Sequence, residues 1–341
     1  MPTVHAATVR PAGRLRTLRS GPTIARVDDL EGALLGEAPV LTRVEVVEQA
    51  GVGMDRARAV WAAMGFAEVP EGVAAFTRAD VEALRTASSL VEGGLIDADT
   101  LLVMARAMGQ GLSRLAEAQV DVLRSLSGGM TVDEALSAAL SSADEVVPRL
   151  EELVLFVWRR QFAAAVHRSV AAARQDGMPL VAIGFVDLVD FTRSSRHWDA
   201  GQLGRTLEHF ERDTALRVTA VGGRVVKTLG DGVLFSTGDV RGAVEVALDT
   251  VAAHEADPEL PSVRAGIAMG AVLVRLGDVF GQPVNLASRL TDEARPGSVL
   301  VDEATSQALA DVPELQVRVL RRRSVRGYRA LTPYLVRRRP D

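Results

Sequence analysis

The chain has 341 residues, with 39 Lys and Arg against 44 Asp and Glu for a formal net charge of −5, and it is 48% hydrophobic. That length allows two domains, each able to bury a core of its own. The absence of cysteine excludes disulfides, thiol catalysis and cysteine-ligated zinc or iron–sulfur centres. Its five histidines include no pair at i, i+4 spacing, so a zincin-type helix is excluded too. Aromatic residues at 4% are too few for the stacking platforms that grip single-stranded nucleic acid.

Residues 1–27 carry Arg10, Arg14, Arg16, Arg19 and Arg26 without an apolar run, which reads as a mobile basic arm and not a signal peptide. From 28 to 164 apolar positions recur at three- and four-residue spacing, as in Leu101, Ala105, Met108, Leu112, Leu115, Ala116 and Gln119, and predict an all-α domain. Thr131-Val-Asp-Glu134 has the spacing of a capping box that opens a further helix. Residues 153–173 are apolar round much of their circumference, which predicts a helix buried between partners or subunits. No run approaches the ~20 apolar residues of a membrane-spanning helix, so a cytoplasmic chain without a membrane span is expected.

A breaker cluster, Gln175-Asp-Gly-Met-Pro179, ends this helical pattern. Residues 165–179 read as a linker, and 180–341 as a second domain with a different periodicity. Strands are predicted at 180–187, 224–229, 232–236, 263–269 and 271–276, and helices at about 199–220, 239–254 and 282–294. The opening β-α-β-β-α-β order is that of a ferredoxin-like layer of helices on an antiparallel sheet, so the fold class is α+β preceded by an all-α domain.

Asp187 follows an apolar strand directly, and Asp231 sits in a Gly-Asp-Gly turn between two β runs. If those strands are neighbours, both carboxylates reach one space at the sheet edge. There they repel unless a divalent cation lies between them, and all-oxygen ligation suits Mg²⁺ or Mn²⁺. Two such ions about 3.5–4 Å apart can activate an attacking oxygen and neutralise a transferring phosphoryl group. The turn Leu188–Thr192 with Ser194 and Ser195 offers backbone N–H groups and hydroxyls that can cradle phosphate oxygens.

Three motifs, Phe185-Val-Asp-Leu-Val-Asp-Phe-Thr192, Val226-Lys-Thr-Leu-Gly-Asp-Gly232 and Asp278-Val-Phe-Gly-Gln-Pro-Val-Asn-Leu-Ala-Ser-Arg289, resemble in order and spacing the catalytic domain of class III adenylyl and guanylyl cyclases. The resemblance covers about residues 178–338. It implies attack of the ATP ribose 3′-hydroxyl on the α-phosphorus, giving 3′,5′-cyclic AMP and pyrophosphate, with two Mg²⁺ or Mn²⁺ ions per site. Asp187, Asp231 and Leu188 fall on the metal-binding positions, and Phe191 and Thr192 on the substrate side. Lys227 and Asp278 fall on the residues that read the purine. Lys can donate to adenine N1 while a carboxylate accepts from the N6 amino group; guanine presents the opposite pattern, so the pair implies ATP over GTP. Asn285 and Arg289, at i, i+4 on one helix face, match the transition-state residues, which orient the ribose and neutralise the α-phosphate. In the family these two sets come from different subunits, which implies a C₂ homodimer with two interface sites and an inactive monomer. Residues 321–329 lie where many cyclases place a cation on the terminal phosphates, which reads either as that role for Arg326 or Arg329 or as a solvated basic loop.

Residues 90–119 resemble the helical regulatory domain of the actinobacterial pH-responsive adenylyl cyclases. This implies regulation by the first half, with acid pH as activator, a lipid ligand in an apolar pocket, and His167 as the histidine nearest the linker. Residues 41–85 also have the pattern of a winged helix-turn-helix, which keeps a DNA-binding or signalling-only regulator as the alternative. There, however, Arg43, Arg56, Arg58, Arg78 and Arg85 are outnumbered by Glu45, Glu48, Asp55, Glu68, Glu71, Asp80 and Glu82. Phosphate-backbone binding needs a basic face, so nucleic acid is disfavoured as a partner. A diguanylate cyclase would need a Gly-Gly-Asp/Glu-Glu-Phe hairpin where this chain has Leu-Gly-Asp-Gly.

Overall fold

The computed structural model describes residues 22–173, 180–191, 198–325 and 328–340. The basic arm expected at the N-terminus lies almost wholly outside them. The chain divides into two compact units, Met1–Phe162 and Ala163–Asp341.

The first unit is helical: α1 (Pro22–Leu35), α2 (Arg43–Ala50), α3 (Met54–Met64), α4 (Arg78–Glu92), α5 (Ala98–Leu126) and the start of α6 (Val132–Ala173). Its helix starts are written in side chains that satisfy the free N–H groups of a first turn. Thr42 with Glu45 and Thr77 with Asp80 form reciprocal capping boxes, Asp97 caps α5, and Thr131 exchanges bonds with Glu134 at 2.7 and 3.3 Å as its spacing predicts. Gly51 ends α2 at φ 70°, a left-handed position that glycine takes without steric cost. Val46, Val47, Ala57, Val60, Phe76, Val81, Leu84 and Leu101 pack into one core, and Leu41 bridges Phe76. α2 and α3 are joined by a short turn, and Arg43, Arg58 and Arg85 are each paired with an acid of the same unit. Buried Arg43 donates to Glu71 at 2.5 Å and to the Val69 carbonyl at 3.0 Å, and Arg85 pairs with Glu82.

Along α5 only Leu101 and Ala105 of the predicted apolar face are buried; Met108, Leu112 and Leu115 are exposed. In α6 the residues expected to be buried between partners, Leu153, Phe156, Trp158 and Phe162, are likewise exposed in the single chain. The described part of α6 runs unbroken to Ala173, through the start of the expected linker, with Pro148 inside it. No helix among the described residues is long and apolar enough to cross a membrane.

The second unit contains β1 (Leu180–Leu188), α7 (Ala200–Ala220), β2 (Arg224–Leu229), β3 (Gly232–Thr237), α8 (Val240–Ala256), β4 (Val263–Ala271), β5 (Leu273–Arg275), β6 (Asp278–Phe280), α9 (Gln282–Glu293), β7 (Val299–Val301), α10 (Glu303–Ala308), β8 (Leu315–Val319), β9 (Arg323–Val325), β10 (Tyr328–Leu331) and β11 (Tyr334–Arg338). The main sheet has seven strands in the order β2-β3-β1-β4-β7-β11-β8. Its first four are antiparallel neighbours, the arrangement expected from the β-α-β-β-α-β reading. β7 then joins β4 in parallel.

Side chains alternate along β1 because successive Cβ atoms point to opposite faces of a strand. Ala182, Val186 and Leu188 join Phe210, Val218, Ala243 and Val246 on the face covered by α7 and α8. Val181, Ile183 and Phe185 join Ala287 and Leu290 of α9 on the other. The sheet is therefore covered on both faces, and β1 is hydrogen-bonded on both sides. That central strand delivers Asp187 to the sheet edge.

Candidate active site

Asp187 and Asp231 are brought together by the sheet register. Asp187 lies opposite Gly232, the residue after Asp231, and the Leu188 N–H donates to the Asp231 carbonyl at 3.0 Å. Gly232 leaves the carboxylate room, since a Cβ there would stand 3.3 Å from Asp187 Oδ1. Gly230, at φ 66°, makes the tight turn that carries Asp231. Burial raises the Asp187 carboxyl above its ordinary value; bonds and charge from Arg264 oppose this, and the charges of Asp231 and Asp292 add to it.

Arg264 is the site residue that motif reading missed. It stands opposite Asp187 across the β1–β4 ladder and donates to Asp187 Oδ2 from Nε at 2.9 Å and Nη2 at 2.7 Å. Its Nη1 donates to the Asp292 carbonyl at 3.2 Å. An arginine inside the otherwise apolar run 263–269 was the available signal, but only the pairing of β1 with β4 turns it into a partner for Asp187.

The pair expected to read the purine is also assembled. Lys227 Nζ donates to Asp278 Oδ2 at 2.5 Å, and the Val279 N–H donates to Asp278 Oδ1 at 2.8 Å. Burial works to raise the Asp278 carboxyl, but these bonds, with the charges of Lys227 and Arg224, outweigh it and hold the group below its ordinary value. Arg224 braces the turn before Asp278 by donating to the Gly277 carbonyl at 2.8 Å.

Asn285 and Arg289 share one face of α9, which begins at Gly281 with Pro283 in its first turn. Asn285 is exposed, and Arg289 donates to Asp292 Oδ2 at 2.9 Å. Hydrogen bonds thus gather the predicted residues into two groups, one around Asp187 and one around Asp278, with Asn285 on the open face of α9. Leu188 is buried in the core. Phe191 packs edge-on against Trp198, with ring centroids 5.9 Å apart, and nearby Asp190 holds φ 57°, an uncommon conformation for a residue other than glycine. Thr192, Ser194, Ser195 and Arg326 lie outside the described residues, and Arg329 is on β10.

Among the described residues no cluster of three or more His, Cys, Asp or Glu could hold a metal ion. Two carboxylates that rely on further oxygens from backbone and substrate phosphates are, however, the donor set in which Mg²⁺ is usually held. Asp187 and Asp231 fit that description, being adjacent in the backbone and mutually repelling.

The adenylate and guanylate cyclase catalytic domain family matches residues 174–338. The chain is 43% identical over 287 residues to an adenylate cyclase of Streptomyces coelicolor, a match that covers 82% of this chain and 74% of that one. An adenylate cyclase of Glutamicibacter nicotianae is 34% identical over 343 residues, 94% of this chain and 85% of its own length. A pH-sensitive adenylate cyclase of Mycobacterium tuberculosis is 34% identical over 287 residues, 79% of this chain and 70% of its own. With similarity that extends through the helical half as well as the catalytic motifs, the chain belongs to the class III adenylate and guanylate cyclase family, as an adenylate cyclase with a helical N-terminal region.

Proposed function

We propose that this cyclase converts ATP to 3′,5′-cyclic AMP and pyrophosphate at two equivalent sites, each built from two copies of the chain. The ribose 3′-oxygen bonds to the α-phosphorus, the bond from that phosphorus to the pyrophosphate oxygen breaks, and one proton is released to solvent. Asp187 and Asp231, with the Leu188 main chain, hold Mg²⁺ or Mn²⁺; when bound, such cations neutralise phosphate charge and activate the attacking hydroxyl. The partner copy contributes Lys227 and Asp278 to adenine N1 and N6, Asn285 to the ribose, and Arg289 to the charge that develops on the α-phosphate. Phe191 and Thr192 are assigned to the substrate side of the site.

The observation that carries this reading is the Lys227–Asp278 pair, a donor and an acceptor already side by side at 2.5 Å in the pattern that complements adenine. Arg264 has a resting function in it. By bonding Asp187 it offsets part of the repulsion between the carboxylates before a cation and substrate arrive. The composite arrangement draws support from Asn285, which is exposed on α9 and so open to a partner copy.

The test is production of cyclic AMP from ATP by purified protein with Mn²⁺ or Mg²⁺ across pH 5.5–8; no product at any pH removes the proposal. Inactive Asp231→Ala and Asn285→Ala proteins are expected to regain partial activity when mixed, because one heterodimer site is intact. Failure despite demonstrated subunit exchange refutes the composite site. The helical N-terminal half is proposed as a regulator that responds to pH, an input supported by the pH-sensitive relative. Residues 174–341 alone should then lose the pH response of the full chain, and an unchanged profile overturns that assignment.

A further inference from the structure

α9 comes unusually close to β4 where that strand carries glycine. A Cβ added to Gly266 of β4 would lie 2.4 Å from the Ala287 carbonyl oxygen, 2.4 Å from the Thr291 nitrogen and 2.6 Å from Thr291 Oγ1. One added to Gly270 would lie 2.7 Å from Pro283 Cγ. Ala268, fully buried between them in sequence, is the third small residue on this face of β4. Strand and helix therefore meet backbone against backbone at one end and backbone against a proline ring at the other.

The spacing of these contacts sets direction as well as height. Gly266 to Gly270 spans about 13 Å of strand at ~3.3 Å per residue, and Thr291 to Pro283 spans about 12 Å of helix at ~1.5 Å per residue. The helix is thus laid along β4 and touches it at both ends. Pro283, Ala287, Leu290 and Thr291 are its buried residues, and Thr291 Oγ1 donates to the Ala287 carbonyl at 2.9 Å. Asn285 and Arg289 stand on the opposite side of the same two turns, so any lift of α9 from β4 moves them by the same distance.

We propose that Gly266 and Gly270 are positioning residues for the cyclisation step: by having no side chains they fix the height and register at which α9 presents Asn285 and Arg289. The proposal rests on the transition-state reading of those two residues. Ordinary van der Waals contact begins near 3.4 Å, so Gly266→Ala, with backbone atoms at 2.4 Å, must raise α9 by about 1 Å. A misplacement of that size in a reacting geometry costs roughly 10²-fold in rate. Lys227 and Asp278 lie on β2 and β6, so nucleotide binding is left in place.

The experiment measures kcat and KM for ATP in the full chain, with folding checked by circular dichroism. Gly266→Ala should lower kcat about 100-fold and change KM less than about threefold. A folded Gly266→Ala protein with kcat near wild type, or with its loss in KM, overturns the proposal. Gly270→Ala meets only the tip of the Pro283 ring and should lower kcat about tenfold. Adding Pro283→Ala removes that clash and should restore most of it, a rescue that a general loss of stability would not show; no rescue overturns the proposal. If Gly266→Ala does not fold, this second pair decides alone. In mixing experiments Gly266→Ala should complement Asp231→Ala but not Asn285→Ala, because it displaces Asn285 and Arg289 with α9 while Asp187 and Asp231 stay on their strands; complementation of Asn285→Ala overturns the proposal. The Asp231→Ala with Asn285→Ala mixture is the control. If that control fails, the composite site is refuted, and the Gly270–Pro283 rescue still decides the seating of α9.

Discussion

Arg264→Gln removes the guanidinium that answers the Asp187 carboxylate and leaves the rest of the ladder in place. The side chains of the pair are only 27% and 21% exposed, so solvent screens their interaction incompletely, and the two donated bonds of 2.9 and 2.7 Å converge on one oxygen. Charge-assisted bonds of this kind contribute roughly 1.5–3 kcal/mol, and about 2 kcal/mol suits a pair that keeps some access to water. For a unit of roughly 150–250 residues that corresponds to a fall in Tm of about 4–8 °C. The pH dependence fixes the cause. Burial holds the folded Asp187 carboxyl above its ordinary value of 3.8, and Arg264 opposes that rise. A carboxyl raised in the folded state favours folding below the unfolded value, and that advantage is lost as pH rises through the interval up to the folded value. Removing Arg264 widens the interval, so the Tm gap between wild type and Arg264→Gln should be full at about pH 7 and close as the pH falls toward about 4. Calorimetry of the full chain without added cation across this range is the assay. The Asp187→Asn, Arg264→Gln double variant should recover most of the loss, since it leaves no unanswered charge. A gap below about 1 °C at neutral pH, or one that does not change with pH, would refute the reasoning.

Gly184→Ala places a Cβ 2.2 Å from Phe235 Cζ, against a ring that is fully buried. It should cost about 1–3 kcal/mol in denaturant unfolding, with partial recovery in a Phe235→Leu background. His254 is buried, with Nδ1 bonded to the Pro261 carbonyl and Nε2 unpartnered. Burial, opposed by the Pro261 bond, holds it below its ordinary value of 6.5. Its contribution to stability is full above 6.5 and declines as pH falls from there toward the folded value, so the Tm of His254→Gln should vary less with pH in that acid range than that of wild type. Lys227→Ala removes the donor proposed for adenine N1 and should reduce the ratio of kcat/KM for ATP over GTP by about 10- to 100-fold; an unchanged ratio refutes purine reading by this residue.

The second unit was legible because its grammar is local. Strand runs bounded by Gly and Asp turns place β1 to β4 and the helices between them within a few residues, and the β-α-β-β-α-β order gives their antiparallel arrangement. The carboxylate pair followed from two strand ends and one hairpin. What sequence spacing does not contain is lateral register. Arg264 becomes a partner of Asp187 only when β4 is laid beside β1, and Asp292 joins them only through the seat of α9 on β4. In the first unit a capping box located the helix start at Thr131, while the equivalent boxes at Thr42 and Thr77 emerged only from the structure. Amphipathic spacing along α5 and α6 did not tell which apolar residues the single chain buries, because Leu101 and Leu112 share a pattern and differ in burial.

Because β1 is paired on both edges and covered on both faces, its amide protons should be released to solvent only in the deepest openings of this unit. The proposed cation carboxylate Asp187 is anchored to that strand. Lys227, by contrast, lies on β2, at the margin of the sheet, just past a register irregularity between Val225 and Lys227. The two tasks proposed for the site therefore rest on backbone of unequal local stability. Mild denaturant or moderate heating should blur the choice between nucleotides before it disturbs the anchorage of the carboxylate, so fidelity toward the base is expected to fail earlier than the chemistry it serves.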